Sequence, residues 1–269
     1  AYRLFRNLSC EVMTIDMDKY GMEVSKLCES NADTAYVMPS HQYPLGIVMP
    51  IKRRMELLRW AGESEERYII EDDYDSEFRM TGKPIPALKS IDVNEKVIYL
   101  NTFSKSISNT IRVSYMILPK HLMKLYYKRL SFYSCPVTTI IQMTVSRFIS
   151  EGFFEKHINR MRNYYRQQRD FLVNTIENSK MASYVKIMEA DAGLHFIIHL
   201  DVPCSDEEFV GIMERKKIKL CALSEYYQRT ENRSEHEFVI NYSSLSEEQI
   251  KEAIDFMSKE VVRLALKNY

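Results

Sequence analysis

The chain has 269 residues, of which 45% are hydrophobic and 28% are charged. These fractions are typical of a globular protein with a sizeable core, and the length suits one large domain or two smaller ones. Basic and acidic residues number 37 each, so the formal net charge is +0 and nothing global indicates binding to nucleic acid or to an anionic membrane surface.

The five cysteines are scattered and form no C-x-x-C pair, which predicts reduced thiols in a cytoplasmic protein. No apolar run approaches the roughly 18 residues that a membrane span needs, and no signal peptide is recognisable. We therefore expect no membrane partner. The chain begins at Ala1 without an initiator methionine, so we expect it to be part of a longer protein.

Residues 1–120 alternate β-rich runs with helical runs. A helix is predicted over 50–64, where Met55, Leu58 and Ala61 recur at helical spacing. Strands are predicted at 11–17, 34–39, 67–73, 96–101 and 112–119. Near-continuous apolar strands separated by helices predict a mostly parallel sheet with both faces covered.

After residue 120 the pattern changes to helices at 120–133 and 137–178, followed by a smaller α+β region. In that region strands are predicted at 184–189, 194–200, 218–223 and 237–242, and helices at 205–217 and 246–266. Ser205 followed by Glu208, and Ser246 followed by Gln249, form capping boxes. We expect two parts: a large domain at 1–150, and a bridging helix followed by a small C-terminal domain at 151–269.

One predicted strand leads straight into four carboxylates, Glu71, Asp72, Asp73 and Asp75. Taken singly, Glu71, Asp73 and Asp75 are well explained as solvated loop residues. A magnesium or calcium site is the next interpretation, because those ions prefer carboxylate ligands. It is disfavoured, since no glycine-rich phosphate loop and no neighbouring histidine accompany the cluster.

The next predicted strand leads into the loop T-F-S-K-S, which contains Lys105. In isolation a lysine in such a loop is a solvated surface charge. However, ligands of open α/β sheets bind beyond the carboxyl ends of the strands. Pyridoxal phosphate requires a lysine for a Schiff base, a carboxylate for its pyridine nitrogen, and hydroxyl, N–H and arginine groups for its phosphate. Asp72, Thr102, Ser104 and Arg112 supply these groups beside Lys105.

Four segments of this sequence carry a family resemblance. PSHQYPLG (39–46), YIIEDDYDSEFR (68–79), VIYLNTFSKSIS (97–108) and HINRMRNYYRQQRDFL (157–172) resemble the aminotransferase-like domain of MocR-type regulators. These are GntR-superfamily transcription factors whose effector domain is similar to fold-type I, class I/II aminotransferases. The resemblance runs from residue 2 to the C-terminal helix, and the pair T-F-S-K-S and E-D-D-Y-D is highly specific. It implies an α/β fold with a large, mostly parallel domain and a small α+β C-terminal domain, pyridoxal 5'-phosphate as cofactor, and a homodimer.

The resemblance also implies roles around the cofactor ring. Lys105 matches the Schiff-base lysine, Asp72 the partner of the pyridine nitrogen, and Tyr74 the tyrosine that hydrogen-bonds the phenolic oxygen. Tyr2 matches the aromatic residue that stacks on the ring. Tyr43 stands where aminotransferases carry the asparagine of their N-P-x-G loop, and the preceding residues from position 41 are expected to approach the ring.

On the phosphate side, Arg112 matches the family's phosphate arginine, and Thr102 and Ser104 match its usual hydroxyl positions. The family places a further phosphate loop, T-N-G-x-Q-Q-A-L, before the region that matches residue 1. Without that loop we expect weaker affinity for the cofactor.

The sequence departs from aminotransferases where they carry an arginine for the substrate carboxylate. Val239 occupies that position, and Arg229 and Arg233 lie upstream in a polar loop. Loss of a bidentate carboxylate clamp disfavours efficient transamination. We interpret His195 as a structural core histidine that could approach the substrate side. We interpret His157 as part of a solvated helix face.

The leading hypothesis is an effector-sensing domain that binds an amine or amino acid and passes the signal to an N-terminal winged-helix domain outside this chain, which alone contacts DNA. The alternative is an active class I/II aminotransferase acting on an amino acid. A scaffold that no longer binds the cofactor is the least favoured, because Lys105, Asp72, Tyr74 and Arg112 are all present.

Overall fold

The computed structural model describes residues 1–79, 85–188, 193–228 and 234–266 of the chain. Within these ranges the strands form two four-stranded sheets and one two-stranded pair. None of the described helices combines the length and the apolar character that a membrane crossing requires.

The elements of these ranges are numbered in chain order. The strands are β1 (Met17–Asp18), β2 (Gly21–Met22), β3 (Thr34–Val37), β4 (Tyr68–Asp72), β5 (Val97–Thr102), β6 (Ser114–Ile117), β7 (Val185–Met188), β8 (His195–Leu200), β9 (Cys221–Ala222) and β10 (Glu237–Asn241). The helices are α1 (Tyr2–Asn7), α2 (Val24–Glu29), α3 (Ile51–Gly62), α4 (Leu88–Ile91), α5 (Phe103–Ser106), α6 (Lys120–Leu130), α7 (Thr139–Ser150), α8 (Phe153–Glu177), α9 (Asp206–Glu214) and α10 (Glu247–Leu266).

The first sheet has the strand order β3-β4-β5-β6. β3, β4 and β5 are parallel, with Asp72 of β4 in register with Leu100 of β5, and β6 runs antiparallel to β5. This arrangement confirms the predicted α/β class with a mostly parallel sheet. Because β3, β4 and β5 run in the same direction, their carboxyl ends lie at the same end of the sheet. The loops that follow them therefore lie side by side.

The helix predicted over 50–64 is confirmed as α3. Arg54, Leu57, Leu58 and Ala61 are buried on it, whereas Met55 is 50% exposed. The buried stripe is centred between Leu57 and Ala61, and Met55 lies on its flank. A buried arginine therefore occupies a core position of this helix.

Strand β6 forms an edge of the first sheet, and all four of its residues are exposed. The expectation that both faces of the sheet are covered is therefore wrong at this strand. The helix that follows, α6, likewise buries none of its residues among the described ones.

The strand predicted at 11–17 is wrong for most of its length. Only Met17 takes part in a strand, in the short pair of β1 with β2. A strand is stabilised by a series of hydrogen bonds to a neighbouring strand. Among the described residues, the Glu23 N–H donates to the Asp16 carbonyl at 3.0 Å, but no strand pairs with residues 11–16. An apolar pattern alone did not suffice there.

The single helix predicted over 137–178 is two helices, α7 and α8. Gly152 separates them with a φ of 74°, a left-handed conformation that glycine adopts without steric cost and that interrupts an α-helix. After this break, Ile158, Tyr165 and Leu172 of α8 are buried in the hydrophobic core of the second sheet.

The second sheet is antiparallel, in the order β7-β8-β10-β9. The helices α9 and α10 begin at the predicted caps. Ser246 and Gln249 satisfy each other's backbone N–H groups at 2.9 and 3.2 Å, and Ser205 accepts a hydrogen bond from the Glu208 N–H at 3.2 Å. The two sheets have separate hydrophobic cores, while the boundary between residues 150 and 151 stays a prediction.

Candidate functional site

The candidate site lies where the loops after β3, β4 and β5 meet, at the carboxyl edge of the first sheet. Asp72 ends β4, and Lys105 lies in the short helix α5 directly after β5, the next strand of the sheet. The sequence prediction that these two residues follow neighbouring parallel strands is confirmed. Their neighbours determine what the site can do.

Asp72 is half-buried and accepts a hydrogen bond from the hydroxyl group of Tyr36, on the adjacent strand β3. Burial raises the pKa of Asp72, against the opposing effect of the Tyr36 hydrogen bond. A carboxylate in this environment is stabilised by a cation brought close to it. A protonated ring nitrogen is one such cation.

The other carboxylates of this segment are not solvated loop residues. Glu71, Asp73 and Asp75 are 0%, 4% and 2% exposed, so that interpretation was wrong. Glu71 accepts hydrogen bonds from two backbone N–H groups of α4, at 2.8 and 2.9 Å. Asp73 accepts from the hydroxyl groups of Ser76 and Tyr99, at 2.8 and 2.6 Å. These partners come from elements that packing brings together, and they shape the loop around the site.

Tyr74 and Asp75 both contact His41, which lies in the loop after β3. The Nδ1 atom of His41 is 2.9 Å from Oδ2 of Asp75 and 3.1 Å from the hydroxyl oxygen of Tyr74. Burial, and then the charge of Asp75, raise the pKa of Tyr74, so its hydroxyl group stays protonated and can donate. His41, Asp75 and His195 bring possible metal ligands within 4.8 Å of one another, but a metal ion would have to displace the direct bond between His41 and Asp75.

The second sheet closes over this loop through His195 and Tyr226. His195 donates a hydrogen bond from Nε2 to the Pro44 carbonyl at 3.0 Å, and the hydroxyl groups of Tyr43 and Tyr226 are 2.8 Å apart. Burial, and then the charge of His41, lower the pKa of His195 to about 4, and Lys105 acts in the same direction. His195 is therefore a neutral, buried histidine, as the interpretation of it as a core residue expects. The effect of the Lys105 charge on its pKa also agrees with its expected approach to the substrate side.

The loop that carries Lys105 is held by Thr102. The Thr102 hydroxyl group caps α5 by accepting from the Ser104 N–H at 3.1 Å, and it donates to the Val113 carbonyl at 3.1 Å. Lys105 is half-buried on this turn, and in the described residues its ammonium group has no hydrogen-bond partner. A lysine held by a rigid turn without a partner is free to bind a ligand.

His157 supports the same loop from helix α8. It donates a hydrogen bond from Nε2 to the Ser106 carbonyl at 3.0 Å and is half-buried. The interpretation of His157 as a solvated helix residue was therefore wrong. Its partner lies 51 positions away in sequence, so helical periodicity could not reveal the contact.

Arg112 ends the same loop, just before β6. Its backbone φ is 50°, an uncommon left-handed conformation for a residue other than glycine, and its side chain is exposed. Across the described ranges, no hydrogen bond or ion pair engages its guanidinium group. Ser104 is half-buried nearby in the chain, and its hydroxyl group is likewise without a partner among the described residues.

Tyr2 lies on α1, which packs beside the carboxylate end of the site. The ring of Phe5, on the same helix, contacts the ring of Tyr36 with 5.8 Å between centroids, and Tyr36 in turn binds Asp72. The Tyr2 hydroxyl group accepts a hydrogen bond from Arg6 at 3.3 Å. The structure thus brings the helix of Tyr2 to the site.

These residues fit the cofactor that the resemblance implies. The donor set contains a free ammonium group at Lys105, a carboxylate with a raised pKa at Asp72, a neutral phenol at Tyr74 and a free guanidinium group at Arg112. Pyridoxal phosphate has a complementary aldehyde, pyridine nitrogen, phenolic oxygen and phosphate. Thr102 fits less directly, because its hydroxyl group already makes two hydrogen bonds within the loop.

The position expected to bind a substrate carboxylate is apolar. Val239 lies on β10, is buried, and packs with Ile197 and Leu223. The upstream arginines Arg229 and Arg233 lie outside the described residues. In the described part of the chain, this strand therefore offers no guanidinium group to a substrate.

The sequence predicted that His41 approaches the ring, without a role, and did not connect it to Asp75. The two residues lie 34 positions apart and meet only because β3 and β4 are neighbours. A signal was present, since both lie in segments that carry the family resemblance. Their pairing required the strand order.

Comparison with known proteins agrees with this site. The family model described as aminotransferase class I and II matches residues 2–257. The chain is 35% identical over 254 residues to the uncharacterized HTH-type transcriptional regulator YdeL of Bacillus subtilis, covering 94% of this chain and 54% of that protein. It is 26% identical over 254 residues to the probable rhizopine catabolism regulatory protein MocR of Rhizobium meliloti, covering 94% and 51%. The chain thus spans about half the length of these curated relatives.

Among solved structures, the fold is similar to that of Pyrococcus horikoshii kynurenine aminotransferase. The TM-score is 0.83 at 24% sequence identity, covering 97% of this chain and 66% of that one. At this identity the likeness establishes the fold.

The fold is that of the fold-type I aminotransferases. Because the family model spans nearly the whole chain, this protein belongs to the aminotransferase class I and II family. The resemblance to the aminotransferase-like domain of MocR-type regulators is confirmed by its curated relatives.

Proposed function

We propose that this chain is the ligand-sensing part of a transcription regulator, which holds pyridoxal phosphate and binds an amine or amino acid. One observation carries the proposal. Lys105 is half-buried and unpartnered within the described residues, on the strand end beside the one that carries Asp72. No described residue pairs with the ammonium group of Lys105, so an internal contact does not explain why a lysine lies in this half-buried position.

Pyridoxal phosphate supplies an aldehyde that condenses with amines and a ring that withdraws electrons. Lys105 would hold this group through its amine, and the carboxylate of Asp72 would pair with the ring nitrogen. Tyr74 would donate a hydrogen bond to the phenolic oxygen. Tyr43 and Tyr2 border the ring, the former through its ring contact with Tyr74 at 6.4 Å between centroids.

The phosphate group lies beside Arg112 and Ser104 in this proposal. A guanidinium group forms strong, charge-assisted hydrogen bonds with phosphate oxygens. Thr102 contributes by shaping the loop, since its hydroxyl group caps α5 and binds the Val113 carbonyl.

Sensing is favoured over turnover by the apolar surroundings of Val239. An amino-acid substrate is normally oriented by a bidentate bond to its carboxylate, and the described part of β10 offers none. Binding without efficient turnover suits a sensor, because a ligand that binds one conformation better than another shifts the equilibrium between them.

The chain spans about half the length of its curated relatives, of which YdeL is described as an HTH-type transcriptional regulator. We propose that DNA contact is made by such a domain in a longer cytoplasmic protein, and that this domain forms a homodimer. The balanced net charge of this chain is compatible with that division.

Borohydride reduction tests the cofactor assignment directly. The chain is incubated with pyridoxal phosphate, reduced, digested and analysed by mass spectrometry. We expect the pyridoxyl group on the peptide that contains Lys105, and its loss in Lys105→Ala. Lys120→Ala is the matched control, because the side chain of Lys120 is 93% exposed; it should label like the wild type. Equal labelling of Lys105 and Lys120 contradicts the assignment.

A second experiment distinguishes sensing from the alternative, an active aminotransferase. The loaded protein is mixed with a panel of amino acids, and both the visible spectrum and keto-acid formation are followed. A spectral change without keto-acid accumulation supports the sensor. Steady keto-acid production supports the enzyme, whose catalytic residues would again be Lys105, Asp72 and Tyr74.

A further inference from the structure

His41 is a buried polar residue that the proposed binding of a cofactor does not use directly. It is 2% exposed, and its Nδ1 atom faces both Asp75 and Tyr74. In the described structure its Nε2 atom has no hydrogen-bond partner. Burying the Nε2 atom without a hydrogen bond costs free energy, so a compensating interaction is required. The two contacts at Nδ1 supply it.

The roles at this nitrogen follow from what each neighbour can do. A carboxylate only accepts hydrogen bonds, so the 2.9 Å contact to Asp75 places a proton on Nδ1 of His41. That N–H group then also faces the hydroxyl oxygen of Tyr74, at 3.1 Å. The oxygen of Tyr74 accepts, and its own O–H bond is left to point elsewhere.

We propose that His41 is a positioning residue for Tyr74: its N–H group occupies one lone pair of the Tyr74 hydroxyl oxygen and so directs the hydroxyl proton of Tyr74 toward the bound ligand. Asp75 fixes the tautomer of His41, so that a carboxylate, an imidazole and a phenol act in series. The inference rests on the proposed function, because the ligand that receives the proton is the cofactor of that proposal.

The second sheet holds His41 in this orientation. The ring of His195 lies against it with 4.4 Å between centroids. Gly193, just before β8, approaches the other partner as well: a Cβ atom built on it would lie 2.7 Å from Oδ2 of Asp75. The Gly193 N–H donates to the Phe78 carbonyl at 3.1 Å, which ties this segment to the loop after β4. The orientation of Tyr74 thus depends on contacts from both sheets.

A double-mutant cycle tests the proposal on the full chain. Affinity for pyridoxal phosphate is measured for the wild type, His41→Asn, Tyr74→Phe and the double variant. Asparagine retains an N–H group for Asp75 but not the geometry at Tyr74. We expect His41→Asn alone to weaken affinity about tenfold, as loss of one hydrogen bond to a buried group does. With phenylalanine at position 74, the same change should cost less than about twofold, because the interaction is already lost.

A readout on the protein without cofactor separates this inference from the proposed function. The Cζ resonance of Tyr74, labelled with ¹³C and assigned by its absence in Tyr74→Phe, reports the hydrogen bonding of its oxygen. We expect His41→Asn to shift it and the control His121→Asn, at an exposed surface histidine, to leave it in place. A merely structural role would not move this resonance once the variant is shown to be folded by circular dichroism.

Two results overturn the inference. One is additive effects of His41→Asn and Tyr74→Phe on affinity; the other is an unmoved Tyr74 resonance in folded His41→Asn. If the wild type binds no pyridoxal phosphate, the proposed function fails, while the resonance still decides whether His41 orients Tyr74.

Discussion

Gly193 lies so close to His41 that no side chain fits between them. A Cβ atom built on Gly193 would lie 1.9 Å from Cε1 of His41 and 2.0 Å from its Nδ1 atom. His41 lies in the loop after β3 of the first sheet and Gly193 just before β8 of the second, so this contact is one place where the second sheet meets the site. Because the imidazole ring is rigid and buried, it cannot move aside for an added methyl group.

We expect Gly193→Ala to destabilise the protein by about 3 kcal/mol, since overpacking and left-handed strain add. Gly152→Ala is the matched control: its φ is 74° against 68° for Gly193, but nothing lies within 4 Å of its Cβ position. It should cost only about 1 kcal/mol, from backbone strain alone. Urea unfolding measures both values, and equal losses would show that the collision with His41 is relieved.

Arg54 is the second residue to test, because it fixes the loop that carries His41. It is fully buried and donates to the backbone carbonyls of Met49, Pro86 and Pro39, at 2.9, 2.9 and 2.7 Å. Lysine cannot satisfy three carbonyls in this planar arrangement. Arg54→Lys should lower the free energy of unfolding by about 3 kcal/mol.

The matched control for this prediction is Arg59→Lys, at an exposed position on the same helix α3. It should change the free energy of unfolding by less than about 0.5 kcal/mol. Unfolding in urea again provides the measurement. A similar small change in both variants would show that the hydrogen bonds of Arg54 are replaceable.

The lowered pKa of His195 predicts that the stability of the protein depends on pH. Burial lowers its pKa from an ordinary value of 6.5 to about 4, so the unfolded chain binds more protons than the folded one between these values. Its contribution to stability is fully present above pH 6.5 and is lost as the pH falls toward 4. As the pH falls over this range, the free energy of unfolding of the wild type should decrease by about 3 kcal/mol relative to that of His195→Gln.

Urea unfolding of the wild type and of His195→Gln at a series of pH values checks this expectation. The difference between the two proteins isolates His195, because every other titrating group is shared. A difference that stays constant with pH would mean that His195 titrates alike in the folded and unfolded states.

Glu77 predicts the opposite dependence. Burial raises its pKa from 4.5 to about 7, and its Oε2 atom is buried without a hydrogen-bond partner in the described structure. The folded state binds the extra proton, so this contribution is present below pH 4.5 and is lost as the pH rises through about 7. As the pH rises between these values, the free energy of unfolding of Glu77→Gln should therefore increase by about 3 kcal/mol relative to that of the wild type. The same unfolding series measures it. A gain at low pH instead would reverse the assignment.

Much of the site was predictable because its signals are local. The strands before Asp72 and Lys105 follow from runs of apolar and β-branched residues, and the loops after them from polar residues. The order of these motifs along the chain was enough to indicate the family. The capping box at Ser246 was likewise readable, because both of its partners lie within one helical turn.

Local patterns failed where a residue's environment is decided by distant partners. Asp73 and Asp75 have the composition of a solvated loop, yet they are buried because Tyr99 and His41 reach them from other elements. His157 has the spacing of a surface residue, yet it binds the loop of Lys105. Charge and periodicity along the chain carry no information about which neighbour a side chain meets.

The sequence by itself determined the class of fold, the family and the residues that could hold a cofactor, because apolar periodicity and motif order are properties of neighbouring positions. Only the tertiary structure decided that His41 lies between Tyr74 and Asp75, and that Gly193 leaves no room beside it. Those contacts depend on strand order and on the packing of two sheets. The physical reason is that hydrogen bonds and close packing act over a few ångströms in space, whatever the separation of the residues along the chain.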